Sequence, residues 1–125
     1  MPACFTMGIG TSGISMTIFE KIIAGTVECD KVFENENFIV IKDLFPQAAV
    51  HLLIIPKKHI KRLQDMQEDD FTLLAEAGRI IQQLAEEFSI ADGYRVVINN
   101  GIEGGQSVFH LHIHLLGGSS LGAIA

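Results

Sequence analysis

The stretch Gln106-Ser107-Val108-Phe109-His110-Leu111-His112-Ile113-His114-Leu115-Leu116 constrains the chain most. Three of the five histidines stand here, alternating with Leu111 and Ile113. Side chains on a strand alternate between its two faces. Read as a strand, the stretch puts His110, His112 and His114 on one face and the apolar residues on the other. Neighbouring histidines would then be roughly 6.6 Å apart, twice the rise per residue. A helix would scatter Val108, Phe109, Leu115 and Leu116 around its circumference, so strand is the better reading.

What can precede such a strand is bounded by size and charge. The chain has 125 residues, enough for one ordinary domain, and 48% of them are hydrophobic, enough for a packed core. Fifteen acidic and nine basic residues give a formal charge of -6, which argues against binding nucleic acid in bulk. A local anion site built from backbone amides and histidine stays possible. No apolar run approaches the roughly 20 residues that span a bilayer. Cys4 and Cys29 form no metal or redox motif, and a cytoplasmic setting is the default.

Residues 1–15 are rich in Gly, Ser and Thr without Lys or Arg. They read as a loose, disordered tail before a domain spanning 16–125, with Met16 an alternative start. Thr17 and Glu20 form a capping-box pattern opening a short helix that Gly25 ends. Ile18, Phe19 and Ile22 line one side of it, as core or as the wall of an apolar pocket. Lys31–Glu34 and Phe38–Lys42 read as a hairpin across a polar turn. Val50–Pro56 reads as a third strand carrying His51. Pro56–Arg62 is a short basic patch, most simply a solvated loop. A long helix is expected over Asp65–Phe88, with Phe71, Leu74, Gly78, Ile81, Ala85 and Phe88 as its apolar stripe. Tyr94–Ile98 is expected as a largely buried fourth strand. Asn99–Ser107 joins it to the histidines, and Gly104-Gly105 could turn its N–H groups onto a phosphate.

Three readings of the histidines compete on the residues alone. They can be a polar strand face of no chemical consequence. They can bind a metal, although the stretch holds no cysteine or carboxylate partner. Or one can act as a nucleophile toward phosphorus, since imidazole is largely neutral at pH 7 and clustered rings resist joint protonation. The others would then donate hydrogen bonds to phosphoryl oxygens.

The sequence resembles the histidine triad (HIT) family. His110-Leu-His112-Ile-His114-Leu-Leu is similar to its signature. Thr17-Ile-Phe-Glu-Lys-Ile-Ile, Ala49-Val-His51-Leu-Leu-Ile-Ile-Pro-Lys-Lys-His59-Ile and Gly104-Gly-Gln-Ser-Val-Phe-His-Leu-His resemble its nucleotide-binding, Hint-like branch. The likeness covers about Met16 to Gly118.

The resemblance implies an α+β, HIT-like fold: an antiparallel sheet of about five strands, one long and one short helix, and a sheet extended across a homodimer. It implies a hydrolase that cleaves the P–N bond of purine nucleoside 5′-phosphoramidates, such as AMP-NH2 or AMP-lysine. His112 matches the nucleophile and His114 a phosphate-contacting partner. His110 and His51 match supporting histidines, and Ser107 the hydroxyl beside phosphate and leaving group. Asn99, Gly105 and Gln106 match the phosphate-side loop, and Asp43 the ribose carboxylate. Ile18, Phe19, Ile22, Ile41 and Leu44 would frame the base. No metal and no cofactor are expected: where some relatives have a zinc-binding Cys-x-x-Cys, this chain has Thr17 and Glu20. The expected partners are an AMP-like nucleotide and a second copy. The alternatives are a dinucleoside polyphosphate hydrolase of the same family and a non-catalytic nucleotide- or protein-binding dimer. The chain has no Trp, which leaves open the leaving-group contact that some relatives make with a C-terminal aromatic residue.

Overall fold

The structure, a computed structural model, describes residues 16–124; the expected tail, 1–15, lies outside the described residues. The chain opens on helix α1, Ile18–Ile23. Its capping box forms as the sequence predicts: Thr17 Oγ1 accepts from the Glu20 N–H, and the Glu20 carboxylate accepts from the Thr17 N–H. Strands β1 (Lys31–Glu34) and β2 (Phe38–Lys42) make the predicted hairpin. Asn35 Oδ1 closes its turn by accepting from the N–H groups of Asn37 and Phe38. Strand β3 (Val50–Pro56), helix α2 (Phe71–Glu87) and strands β4 (Tyr94–Val97) and β5 (Ile113–Gly117) follow. All neighbours in the sheet are antiparallel, in the order β1-β2-β3-β5-β4.

Residues 38–41 of β2 and 52–55 of β3 are apolar throughout because both faces of the sheet are covered there. Phe38, Val40, Leu52, Ile54, Ile113 and Leu115 pack on Ala77, Ile80, Ile81, Leu84 and Ala85 of α2. Ile39, Ile41, Leu53 and Ile55 pack on Phe19 and Ile22 of α1. Period-two alternation assigns His51 in β3 and His114 in β5 to the α1 side.

Four expectations need correction. The histidine stretch is not one strand, because β5 begins only at Ile113. Before it, the Leu111 N–H donates to the Ile60 carbonyl, outside the sheet, instead of to a neighbouring strand. The long helix starts at Phe71, not Asp65. Asp70 accepts from the Gln67 N–H and pairs with Lys58, closing a separate 3-10 turn over Glu68–Asp70. The buried stripe of α2 keeps Ile81 and Ala85 of the expected one but is completed by Ala77, Ile80 and Leu84. Phe71 and Gly78 are exposed. Finally, β4 is not largely buried: it is the sheet's edge, with Tyr94 and Val96 exposed.

Leu84 is 2% exposed in the middle of the α2 contact. Leu84→Ala is expected to cost about 2–5 kcal/mol in denaturant unfolding. A loss below about 0.5 kcal/mol, the range of surface changes, would contradict that packing.

Candidate active site

On the α1 side a cavity of about 330 Å³ opens between Phe19, Asp43, Phe45, Leu53, Asn99, Gly105, Ser107, Val108, His112 and His114. That is the low end of the range for small-molecule sites. It gathers residues from α1, from the turn after β2, from β3, from the 99–108 segment and from the start of β5. The glycine loop is built for close approach. Gly105 has φ +92°, and a Cβ on Gly104 would lie 2.5 Å from the Asn100 carbonyl oxygen.

The main chain, directly or through the His51 ring, decides which nitrogen of His51, His110, His112 and His114 carries the proton. His112 Nδ1 stands 2.8 Å from the His110 carbonyl, so Nδ1–H donates and the neutral ring keeps its lone pair on Nε2. His110 Nε2–H donates to the Pro56 carbonyl at 2.7 Å. The Gln47 N–H donates to His51 Nδ1 at 3.0 Å, which leaves the His51 proton on Nε2. From there it donates to His114 Nδ1 at 2.9 Å, so neutral His114 carries its own proton on Nε2. Asp43 Oδ2 lies 3.3 Å from the same His51 nitrogen, while Asp43 Oδ1 accepts from the Phe45 N–H. Two adjoining rings thus differ in kind. His112 offers a basic Nε2 and His114 an Nε2–H donor, with ring centroids 5.2 Å apart.

Burial keeps the cluster neutral. It pushes His110, His112 and His51 below the usual imidazole value. The carbonyl hydrogen bonds of His110 and His112 and the Asp43 carboxylate beside His51 work against it. His114 falls furthest, to about 4, because burial is joined by repulsion from His112 and His51.

Asp43, His51 and His114 also bring ligand atoms within 4.8 Å of one another. The donor chemistry does not suit an ion. Ligation through His51 Nε2 would drive the ring proton to Nδ1, where it would face the Gln47 N–H, donor against donor. A ligating histidine ordinarily donates its other N–H to an acceptor instead.

The predicted site residues separate into groups. Phe19, Asp43, Asn99, Gly105, Ser107, His112 and His114 line the cavity. His51 stands behind His114. His110 is fully buried, away from the cavity, with its ring stacked on His59 at 5.1 Å. Gln106 is buried, and its amide is fully engaged. Oε1 accepts from the Gly101 N–H, and Nε2 donates to the Lys61 and Val108 carbonyls. It staples the loop. Ile22 and Ile41 are buried in the core behind Phe19, and Ile18 packs against it. Leu44 lines a different cavity of about 310 Å³, shared with His51, Asp43 and Phe88. The sequence reading missed Leu53, Phe45 and Val108. Leu53 was findable, because it falls two residues after His51 on the same face of β3. The backbone groups of Gln47 and Pro56 carry no sequence signal.

The depressed histidines make stability pH-dependent in a definite direction. Above about 6.5 His114 is neutral in both states; as pH falls, the unfolded chain takes up the proton first and the folded ring resists until about 4. Stability is therefore expected to fall between those values, with His51, His110 and His112 adding in the same sense. Urea midpoints measured across this window should show a shallower slope in His114→Asn. An unchanged slope would contradict the assignment.

Relatives agree with this architecture. A family model described as scavenger mRNA decapping enzyme C-term binding matches residues 16–123. An HIT-like protein of Chlamydia muridarum is 76% identical over 119 residues, covering 94% of both chains. A solved HIT family hydrolase from Legionella pneumophila superposes with a TM-score of 0.81 at 44% identity, covering 83% of this chain and 94% of that one. Another, from Clostridium thermocellum, gives 0.83 at 40%, covering 89% and 97%. With a five-stranded antiparallel sheet between one short and one long helix, and a histidine cluster on the short-helix side, the chain belongs to the histidine triad family and has its hydrolase fold.

Proposed function

We propose that the protein hydrolyses the P–N bond of purine nucleoside 5′-phosphoramidates through a covalent nucleotidyl-histidine. The observation that carries this reading is the opposite tautomers of the two adjoining rings. Displacement at phosphorus needs a basic nitrogen and a nearby donor for the phosphoryl oxygen, both already oriented. His112 Nε2 attacks phosphorus and the P–N bond breaks. The amine leaves with a proton supplied at the site, where the exposed Ser107 hydroxyl positions it. His114 Nε2–H hydrogen-bonds the phosphoryl oxygen as charge develops. The glycine loop does not donate to the phosphoryl oxygens as its sequence suggested: the N–H groups of Gly104, Gly105 and Gln106 are spent on the Gly101 and Ile102 carbonyls, so the loop serves by its close approach instead. Water then attacks the phosphorus and gives up a proton that replaces the one carried off by the amine, and His112 departs with its lone pair restored. The pull on the His112 Nδ1–H from the His110 carbonyl raises the ring's nucleophilicity and steadies its orientation.

Asp43 suits the ribose. Its two oxygens keep lone pairs beyond the Phe45 N–H and His51 contacts, and a carboxylate accepts from two hydroxyls. Phe19, Leu53 and Val108 offer the base an apolar wall. A homodimer also belongs to this reading. Edge strand β4 leaves Tyr94 and Val96 exposed, and α2 presents Gly78 with open space where a Cβ would stand. A second copy on that face would use both.

Three outcomes test the reading. His112→Ala is expected to abolish turnover while AMP still binds, whereas His114→Ala should retain a residual rate. With a chiral phosphorus substrate, two in-line displacements give net retention, and inversion would mean direct attack by water. Phosphoramidate and dinucleoside polyphosphate substrates assayed side by side should favour the first; the opposite preference would move the protein to the other branch of the family.

Asp43→Ala should raise KM more than it lowers kcat, by roughly 1.5–3 kcal/mol in apparent binding. Equal activity on 2′,3′-dideoxy substrates would contradict the ribose role. For the dimer, Gly78→Ala is the discriminating change. On a solvent-facing helix it should stabilise by about 0.5–1 kcal/mol. At a close dimer contact it should weaken association, read by sedimentation.

A further inference from the structure

We infer that Glu20 and His59 act as positioning residues for the His112 ring, forming a clamp from the first turn of α1 to the segment that carries the nucleophile. For its kinetic part this rests on the phosphoramidase reading; for its structural part it does not. The links follow one another through space. Glu20 spends one carboxylate oxygen on the Thr17 N–H at 2.9 Å, inside the capping box. Its other oxygen lies 3.4 Å from His59 Nδ1. On the far side of that ring, His59 Nε2 lies 3.1 Å from the Phe109 carbonyl oxygen, so the protonated ring donates at both edges and the neutral ring at one. The ring stacks on His110 at 5.1 Å with 23° between the planes. The His110 carbonyl then accepts the His112 Nδ1–H, the bond that fixes the tautomer of the nucleophile.

Residues 106–112 need such a tether because they gain no ladder bonds from the sheet, which β5 joins only at Ile113. Gln106 holds the start of the segment to the backbone at Gly101, Lys61 and Val108. The stretch at Phe109 and His110 is held from two sides. On one, the Pro56 carbonyl takes the His110 Nε2–H, and on the other stands His59. Glu20 is suited to anchor His59 because the cap fixes its rotamer. The Thr17 N–H holds its carboxyl below the usual carboxylate value against the opposing effect of burial, with His59 and His110 pulling the same way. Helix capping alone would not require a charge here, since glutamine serves a capping box as well as glutamate.

That difference supplies the test. Glu20→Gln keeps the cap and removes the charge facing His59. His59→Phe keeps the stacked ring and removes both polar links. Long-range nitrogen–proton NMR of the histidine rings should show His112 protonated on Nδ1 in the wild type and a mixture of tautomers in each variant. The single-turnover rate on a phosphoramidate should fall about tenfold in each, with KM within about twofold, as expected when a reacting group is misplaced but binding is kept. Links in series are not additive, so the double variant should lose no more than either single one. Melting temperatures should stay within a few degrees. An unaltered His112 tautomer in both variants would overturn the clamp, and so would additive rate losses. If the wild-type protein left phosphoramidates uncut, the functional reading would fail while the NMR comparison still decided the clamp.

Discussion

The pairing of β3 with β5 is the constraint on which the site depends. Its register sets Leu52 opposite Leu115 and Leu53 opposite His114. Leu52, Ile54, Ile113 and Leu115 then face α2, while His51, Leu53 and His114 face α1. A slip of one residue would exchange these faces and bury imidazoles under the long helix. The core strongly opposes that exchange, because Leu115 and Ile54 are completely buried and a polar ring there would have no partner. Packing on one side of the sheet therefore locates the polar chemistry on the other.

Within that frame the main chain sets the tautomers of His110, His112 and His51, and His51 passes its own on to His114. Carbonyls of Pro56 and His110 take protons, and the Gln47 amide takes a lone pair. Burial then removes the competing charged form. The same wiring disfavours a metal ion. A metal centre and a hydrogen-bond relay can be built from the same side chains, and here the amide of Gln47 selects the relay.

Much of this was legible in the chain. The capping box at Thr17 and Glu20, the hairpin limits and the third strand follow from local chemistry, and the structure repeats them. The alternation of His110, His112 and His114 pointed to a segment from which His112 and His114 reach the cavity. It misled about geometry, because period two does not require a ladder: the chain bends through His110, and residues 110–112 are held by the Leu111 N–H and by ring bonds to carbonyls instead. The α2 stripe was misread because Phe71 and Gly78 sit at apolar spacing but face outward. Gln106 looked like a ligand contact and is a staple, since only three-dimensional placement reveals that Gly101, Lys61 and Val108 converge on it. The basic patch dissolves in the same way: Lys57, Lys58, His59 and Arg62 each face an acidic partner.

His110 Nδ1 is the one buried side-chain polar atom among the described residues left without a hydrogen-bond partner. An unanswered lone pair in a dry environment is a standing cost, and natural interiors seldom tolerate one. Here it makes the position intolerant in an unusual way. A residue that only restores the Nε2–H bond would lose the flat surface on which His59 stacks, and an aromatic hydrocarbon would keep the surface but leave the Pro56 carbonyl unanswered. Histidine alone among the common side chains supplies a flat ring of that size with a donor at that edge, so the interior accepts its idle nitrogen as a by-product of the shape.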